Sequence, residues 1–307
     1  MGGSGGGWYR APRGDRAVES TAGRAADAAE FDTAANAALQ DTLSAYNDRD
    51  AAGIQRHIDT LQQAIESDID GDVTMLFGGS VRKHTFVDGL SDVDVLAVLN
   101  DSSLADSSPA EVLAYFRDRI RQRLPGAVVD KGDLAITIRY SDGAEIQVLP
   151  ALRTATGIRV SAQGGSSWSS VVRPHEFARK LTQVNQACGS KVVPVIKLFK
   201  GMQSDLPETN QLRGYHVESI AIEAFKAYAG RQTYKDMLQH FPATATNRVR
   251  APINDSTGQS LHVDDYLGAA GSDDRLKVSS AIARLASALR TAESRGSLDA
   301  FRDLFPE

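Results

Sequence analysis

Apolar positions recur along the chain first at helical spacing, then at strand spacing, then at helical spacing again to its end. Leu39, Leu43 and Tyr46, followed by Ile54, Ile58, Leu61 and Ile65, fall on helix faces. That predicts two helices, or one long broken one, ahead of any strand. Residues 73–77 form an apolar run ended by Gly78-Gly79 and read as a strand, with a short helix expected from Ser80. Residues 92–99 are expected as a second strand, with Val93, Val95, Ala97 and Leu99 on one buried face. Residues 109–124 suit an amphipathic helix through Val112, Leu113, Phe116 and Ile120. Residues 134–140 and 145–149 read as two strands joined at the turn signal Ser141-Asp142-Gly143. After Pro174 helices are expected at about 175–187, 190–203, 215–230, 233–240 and 274–292.

Composition narrows this picture a little. Apolar residues make up 42% of 307, enough for a substantial core. The net charge of −5 argues against a general nucleic-acid coat, and no sequence-specific nucleic-acid partner is expected. The single cysteine, Cys188, allows no intrachain disulfide and fits a reducing compartment. No apolar run reaches membrane-spanning length and no signal-peptide core opens the chain, so a cytoplasmic location without membrane contact is expected. Residues 1–28 are rich in Gly, Ala and Arg and are expected to be a flexible tail.

The chemistry-bearing residues sit around the first two strands. Gly79-Ser80 follows a strand directly. Glycine lets a backbone approach a ligand, and N–H groups with a Ser hydroxyl can grip phosphate oxygens there. Taken alone, Gly-Gly-Ser is more often only a turn. Asp92 and Asp94 stand two apart, which puts both carboxylates on one strand face. Like charges that close call for a cation, and hard oxygen ligands suit Mg²⁺ or Mn²⁺. Solvated strand-edge aspartates are the plainer alternative. The six histidines show no metal-ligand spacing. Trp168 reads as a packing anchor, Cys188 as an inert buried thiol, and Asp264-Asp265 as a helix start.

Together, Gly79-Ser80-Val81-Arg82-Lys83-His84-Thr85 and Ser91-Asp92-Val93-Asp94 resemble the signature of the polymerase-β-like nucleotidyltransferases. Further segments resemble one branch of them, the bacterial CD-NTases, relatives of cyclic GMP–AMP synthase and oligoadenylate synthase. These are the helices before the first strand, Trp168 through Pro174-His175, Val192 through Lys197 and Lys200, and Arg213-Gly214-Tyr215 with Glu218. The resemblance covers about residues 35–300. It implies an α+β fold: a polymerase-β-like nucleotidyltransferase core, a small mixed sheet flanked by helices, with an oligoadenylate-synthase-like helical second domain. The organisation expected is a tail at 1–28, the core with its helical spine at 29–174, and the helical domain at 175–307.

The resemblance also implies a reaction and its participants. Ribonucleoside triphosphates, ATP among them, are joined into a cyclic di- or trinucleotide second messenger for anti-phage defence. Regulatory or effector proteins of such a CBASS system are the implied partners. Mg²⁺ or Mn²⁺ on Asp92 and Asp94 is the implied cofactor. Gly79, Ser80, Lys83, Lys197, Lys200 and Tyr215 are the implied nucleotide contacts, Tyr215 by stacking on a base.

Two positions depart from the family. Gly214 replaces the usual Ser beside the phosphates. Gln147, in Ala144-Glu145-Ile146-Gln147-Val148-Leu149-Pro150, stands where the third catalytic carboxylate is expected. A glutamine can coordinate through its oxygen but brings no charge and cannot act as a base. Three readings follow: an active enzyme helped by Glu145, two residues earlier on the same strand face; a slow or inactive homologue; or a change introduced to trap a substrate complex. A nucleotidyltransferase acting on another acceptor, a nucleotide-binding protein without turnover, and a helical adaptor with a vestigial motif stand as alternatives.

Overall fold

The computed structural model describes residues 14–47, 51–66, 72–77, 93–100, 103–132, 134–162, 166–171, 174–254 and 263–306. Among these, two helices lead, as expected: α1 (Gly14–Asn47) and α2 (Ala51–Glu66). α1 begins inside the stretch expected to be a flexible tail. A mixed sheet of β1 (Asp72–Phe77), β2 (Val93–Asn100), β3 (Val128–Lys131), β4 (Ile136–Arg139), β5 (Glu145–Thr154) and β6 (Gly157–Val160) follows. Its order is β1-β2-β5-β4-β3, with β6 on the far half of β5. Only the β2–β5 pair is parallel. The helix expected from Ser80 lies outside the described residues.

α3 (Pro109–Arg123) shows why its sequence starts a helix where it does. Ser108 caps the first turn, and the Glu111 carboxylate accepts from the Ser108 backbone N–H at 2.8 Å. This is a reciprocal capping box with proline at the first helical position. Those bonds hold the Glu111 carboxyl below the usual range. The face of α3 that carries Val112, Leu113, Phe116 and Ile120 packs with Ile58, Leu61 and Ile65 of α2 against one face of the sheet. Val95, Ala97 and Leu99 of β2 and Ile146 and Val148 of β5 lie on that face. Alternate residues therefore present the other face. At one end it holds a small apolar cluster of Val98, Ala151 and Ile158.

The remaining helices are α4 (Pro174–Ala187), α5 (Val192–Ser204), α6 (Gly214–Phe225), α7 (Tyr234–Arg248), α8 (Asp273–Ser294) and α9 (Leu298–Arg302). They enclose a second, larger core, and α1 belongs to it: Phe31, Ala35, Leu39 and Leu43 are buried among Phe199, Phe241, Ile282 and Phe301. Phe31 and Phe301 meet edge-to-face at 5.9 Å. Asp32 of α1 pairs with Lys235 at 2.5 Å and Arg231 at 3.0 Å, and Lys235 also bonds Glu293. No helix among the described residues is long and apolar enough to cross a membrane.

One glycine sets the α1–α5 approach. A Cβ on Gly201 would lie 2.0 Å from the Tyr46 hydroxyl, so only hydrogen fits there. The Tyr46 hydroxyl is buried without a hydrogen-bond partner, and burial pushes its pKa up to about 12. Gly201→Ala should gain about 1 kcal/mol of helix propensity and lose more by displacing Tyr46, for a net cost of about 1–2 kcal/mol. Chemical denaturation measures this. A stabilised Gly201→Ala variant would show that Tyr46 yields freely.

Candidate functional site

β1 and β2 are antiparallel neighbours, with Phe77 opposite Val95, so the segment 78–92 joins strand ends at one edge of the sheet. Gly79, Ser80, Lys83 and Asp92 lie on that segment, outside the described residues. Asp94 falls in β2, and its Cα is the register partner of Gln147 in β5. The row continues from Gln147 to Thr137 in β4 and on to Asp130 in β3. The sheet thus places the strand position of Asp94 next to the position where the third carboxylate was expected. Gln147 is half-buried between core residues Ile146 and Val148, which point the opposite way.

Glu145 has a strong partner of its own. Its Oε2 accepts from Arg139 Nε at 2.7 Å, while Arg139 Nη1 donates to Asp130 Oδ2 at 2.5 Å. Arg139 is the register partner of Glu145, so the pair spans adjacent strands directly. The two carboxylates raise the pKa of the guanidinium they share. Sequence reading missed Arg139 and Asp130. The alternation of Ile136 and Ile138 with Thr137 and Arg139 was the available signal for the first. β3 is only four residues long and gave none for the second.

The helical side carries the remaining residues. Lys197, half-buried on α5, donates to the Asn47 side chain at the end of α1. Lys200, one turn on, is buried with its ammonium 3.4 Å from Glu218 Oε1. The same ammonium would stand 3.4 Å from a Cβ on Gly214, an ordinary contact. Gly214 opens α6, and its N-cap residue, Arg213, offers no side-chain cap. Tyr215 is half-buried against Phe177 of α4, with ring centroids 4.4 Å apart and planes at 37°. Trp168 donates to the Ser107 carbonyl at 2.9 Å and packs on the sheet core, as an anchor would. Cys188 is buried, which pushes its thiol pKa up.

Behind the first turn of α6 lies a buried polar cluster that sequence reading did not find. Asp264, expected as a helix start, caps nothing with its side chain. It is fully buried and accepts from Arg275 Nη1 at 2.6 Å and from the Ile253 N–H at 3.0 Å. These donors lower its pKa against the raising effect of burial. The pair does start a short 3-10 turn, with Asp264 at its N-cap position and Asp265 its first residue, while the Asp264 side chain turns inward. Arg275 also donates to the carbonyls of Gly268 and Val249. His216 Nε2 stands 3.4 Å from Asp264, and Nδ1 meets the Tyr266 hydroxyl at 3.0 Å. Burial pushes the His216 pKa down to about 4.

Whether a metal suits the sheet site depends on its donors. Among the described residues no group of three or more His, Cys, Asp or Glu could hold one. By residue type, Asp92 and Asp94 would supply two hard carboxylates, a donor set suited to one divalent ion. Gln147 adds no charge, and Glu145 is drawn toward Arg139, which it shares with Asp130.

No protein-family model matches the chain, and no curated protein sequence does. Solved structures do match. CdnC of E. coli MS115-1 with ATP has a TM-score of 0.69 at 15% identity, over 89% of this chain and 99% of that one. DncV of Vibrio cholerae, a cyclic AMP-GMP synthase with the linear intermediate 5′ pppA(3′,5′)pG, has a TM-score of 0.63 at 11% identity, over 96% and 91%. The CD-NTase CdnG of Bradyrhizobium diazoefficiens with GTP has a TM-score of 0.61 at 14% identity, over 88% and 96%. The chain has the α+β fold of these proteins, a mixed sheet flanked by helices joined to a helical half.

Proposed function

We propose that this chain, with the CD-NTase fold over nearly its whole length, is a nucleotidyltransferase that joins ribonucleoside triphosphates into a cyclic di- or trinucleotide. The pairing of Asp94 with Gln147 on adjacent parallel strands, in a chain whose sequence carries the Gly-Ser and Asp-x-Asp motif, supports this reading. In it, Gly79, Ser80 and Lys83 hold the triphosphate from the sheet side, and Lys197 and Lys200 from the helical side. Charge and orientation are what phosphoryl and nucleotidyl transfer ask of a protein. Tyr215 offers an aromatic face to a base. Asp92 and Asp94 would hold Mg²⁺ or Mn²⁺, whose chemistry is to neutralise charge on the phosphates and polarise them. The acceptor ribose hydroxyl gives its proton to solvent and attacks the α-phosphorus, the bond to the β-phosphate oxygen breaks, and pyrophosphate leaves.

In the proposed biological setting the product is a second messenger of bacterial anti-phage defence, read by an effector protein. A second reading, nucleotide binding with impaired turnover, rests on Gln147, an amide where the third carboxylate is expected, with Glu145 turned to Arg139. One experiment separates the two. The purified chain is incubated with all four ribonucleoside triphosphates and Mg²⁺ or Mn²⁺, and products are identified by mass spectrometry. A phosphatase-resistant cyclic product is expected. Triphosphate binding without product would favour the second reading, and absence of both would overturn the site.

A further inference from the structure

Two contacts set the direction of the hydrogen bonds around Tyr266. The Arg213 backbone N–H donates to the Tyr266 oxygen at 3.1 Å. The Asp264 carboxylate faces His216 Nε2 at 3.4 Å, where a proton is favoured over a lone pair. In that tautomer Nδ1 is the acceptor, and the Tyr266 O–H donates to it across 3.0 Å. Asp264 is in turn held by Arg275 and the Ile253 N–H. A directional chain therefore runs from the N-cap of α6 through Tyr266 and His216 to a buried ion pair on α8. The Arg213 guanidinium lies over the Tyr266 ring at 4.3 Å, which fastens the same corner from outside.

The chain contains one loose contact. His216 Nε2 is completely buried and makes no hydrogen bond. A buried donor held at 3.4 Å from its acceptor gains little, so the contact that holds His216 best is the one to Tyr266. That contact leads to a turn of interest: Arg213, Gly214 and Tyr215 form the first turn of α6, and that turn faces the Lys200 ammonium.

We propose that Tyr266 and His216 are positioning residues for the nucleotide pocket: they latch the Arg213 N–H and so fix the first turn of α6, with Gly214 and Tyr215, beside Lys200. This rests on the nucleotidyltransferase reading above. Neither residue need touch the ligand, since their effect passes through the backbone of the turn. Without the latch the turn samples other positions, and only the fraction in register with Lys200 binds triphosphate.

Tyr266→Phe tests this with little risk to folding, since it deletes one oxygen and keeps the ring under Arg213. The full-length protein is compared with the variant by amide hydrogen exchange and by titration with a non-hydrolysable ATP analogue and Mg²⁺. We expect faster exchange at Arg213–Val217 with the rest of α6 unchanged. We expect the analogue to bind about tenfold more weakly, the effect of one lost buried hydrogen bond. KM should rise while kcat at saturation holds, because the chemistry is untouched. Unchanged exchange at the turn would overturn the latch. Faster exchange with unchanged affinity would make it structural only, which also overturns the proposal. A wild-type chain that shows the protected turn but binds no analogue would refute the nucleotide reading, a separate failure.

Discussion

Gln147→Asp should raise the rate of nucleotide joining by on the order of a hundredfold, because metal assistance at the acceptor oxygen is worth several kcal/mol. The position is already right in backbone terms: Gln147 and Asp94 are register partners across a parallel strand pair. A carboxylate there would supply the charge and the proton acceptor that an amide lacks. Without metal, the same change crowds acidic groups at a half-buried place, so the variant should be less stable than wild type in a chelator. Mg²⁺ should restore that loss in the variant more than in wild type. Asp92→Ala with Asp94→Ala should abolish synthesis in either background. A folded Gln147→Asp protein with wild-type rate and no new metal dependence would place the acceptor site elsewhere. Removing Arg139 is the complementary change. If Arg139→Leu alone raised the rate, Glu145 would be the assisting group.

Arg275→Met should cost about 3–5 kcal/mol of stability, the range for breaking one side of a buried ion pair. Arg275 is wholly buried and satisfies the Asp264 carboxylate together with the carbonyls of Gly268 and Val249. Its removal strands both carbonyls and leaves the buried carboxylate with only the Ile253 N–H as a donor. Asp264→Asn should cost less, because an amide can still face Arg275, and the double variant should cost less than the sum. The cluster also makes stability depend on pH with a definite sign. His216 titrates at 6.5 unfolded and about 4 folded, so the unfolded state takes up the proton first on acidification. Stability is full above pH 6.5 and falls between there and pH 4, by about 2 kcal/mol at pH 5. The lowered Asp264 pKa extends the loss at lower pH, as that carboxylate is protonated. Urea unfolding at pH 7, 6 and 5 measures the slope, and His216→Asn should flatten it. A wild-type profile that is level from pH 7 to 5 would contradict the buried neutral imidazole.

The order of elements was readable wherever periodicity ran for several turns or strands. Both leading helices, the β1, β2 and β5 strands and the long helices after Pro174 follow from spacing alone. What escaped was short or overridden. β3 and β6 have four residues each, and α9 has five, too few for a period to register. α7 was expected at about 233–240, and Pro242 beyond that point cannot donate to a helix. It continues to Arg248, and the Thr246 hydroxyl bonds back to the Pro242 carbonyl at 2.8 Å. Within the candidate site, spacing pointed to Asp94, the family resemblance implied Gln147, Lys197 and Lys200, and register makes Asp94 and Gln147 neighbours. Pairings between distant segments, such as Arg139 with Asp130 or His216 with Tyr266, leave no local trace. They are set by strand register and helix packing, which a one-dimensional reading does not contain.

α1 has a consequence for how the chain is made. It leaves the ribosome before the sheet, yet the surfaces that bury Phe31, Leu39 and Leu43 are on α5, α7 and α9. At about 5–20 residues per second, its apolar stripe waits tens of seconds for partners at the other end of the chain. The sheet, whose core draws on α2 and α3, can close during that interval. The nascent protein therefore passes through a stage with one finished half and one sticky helix. A fragment cut at residue 174 would be held at that stage indefinitely.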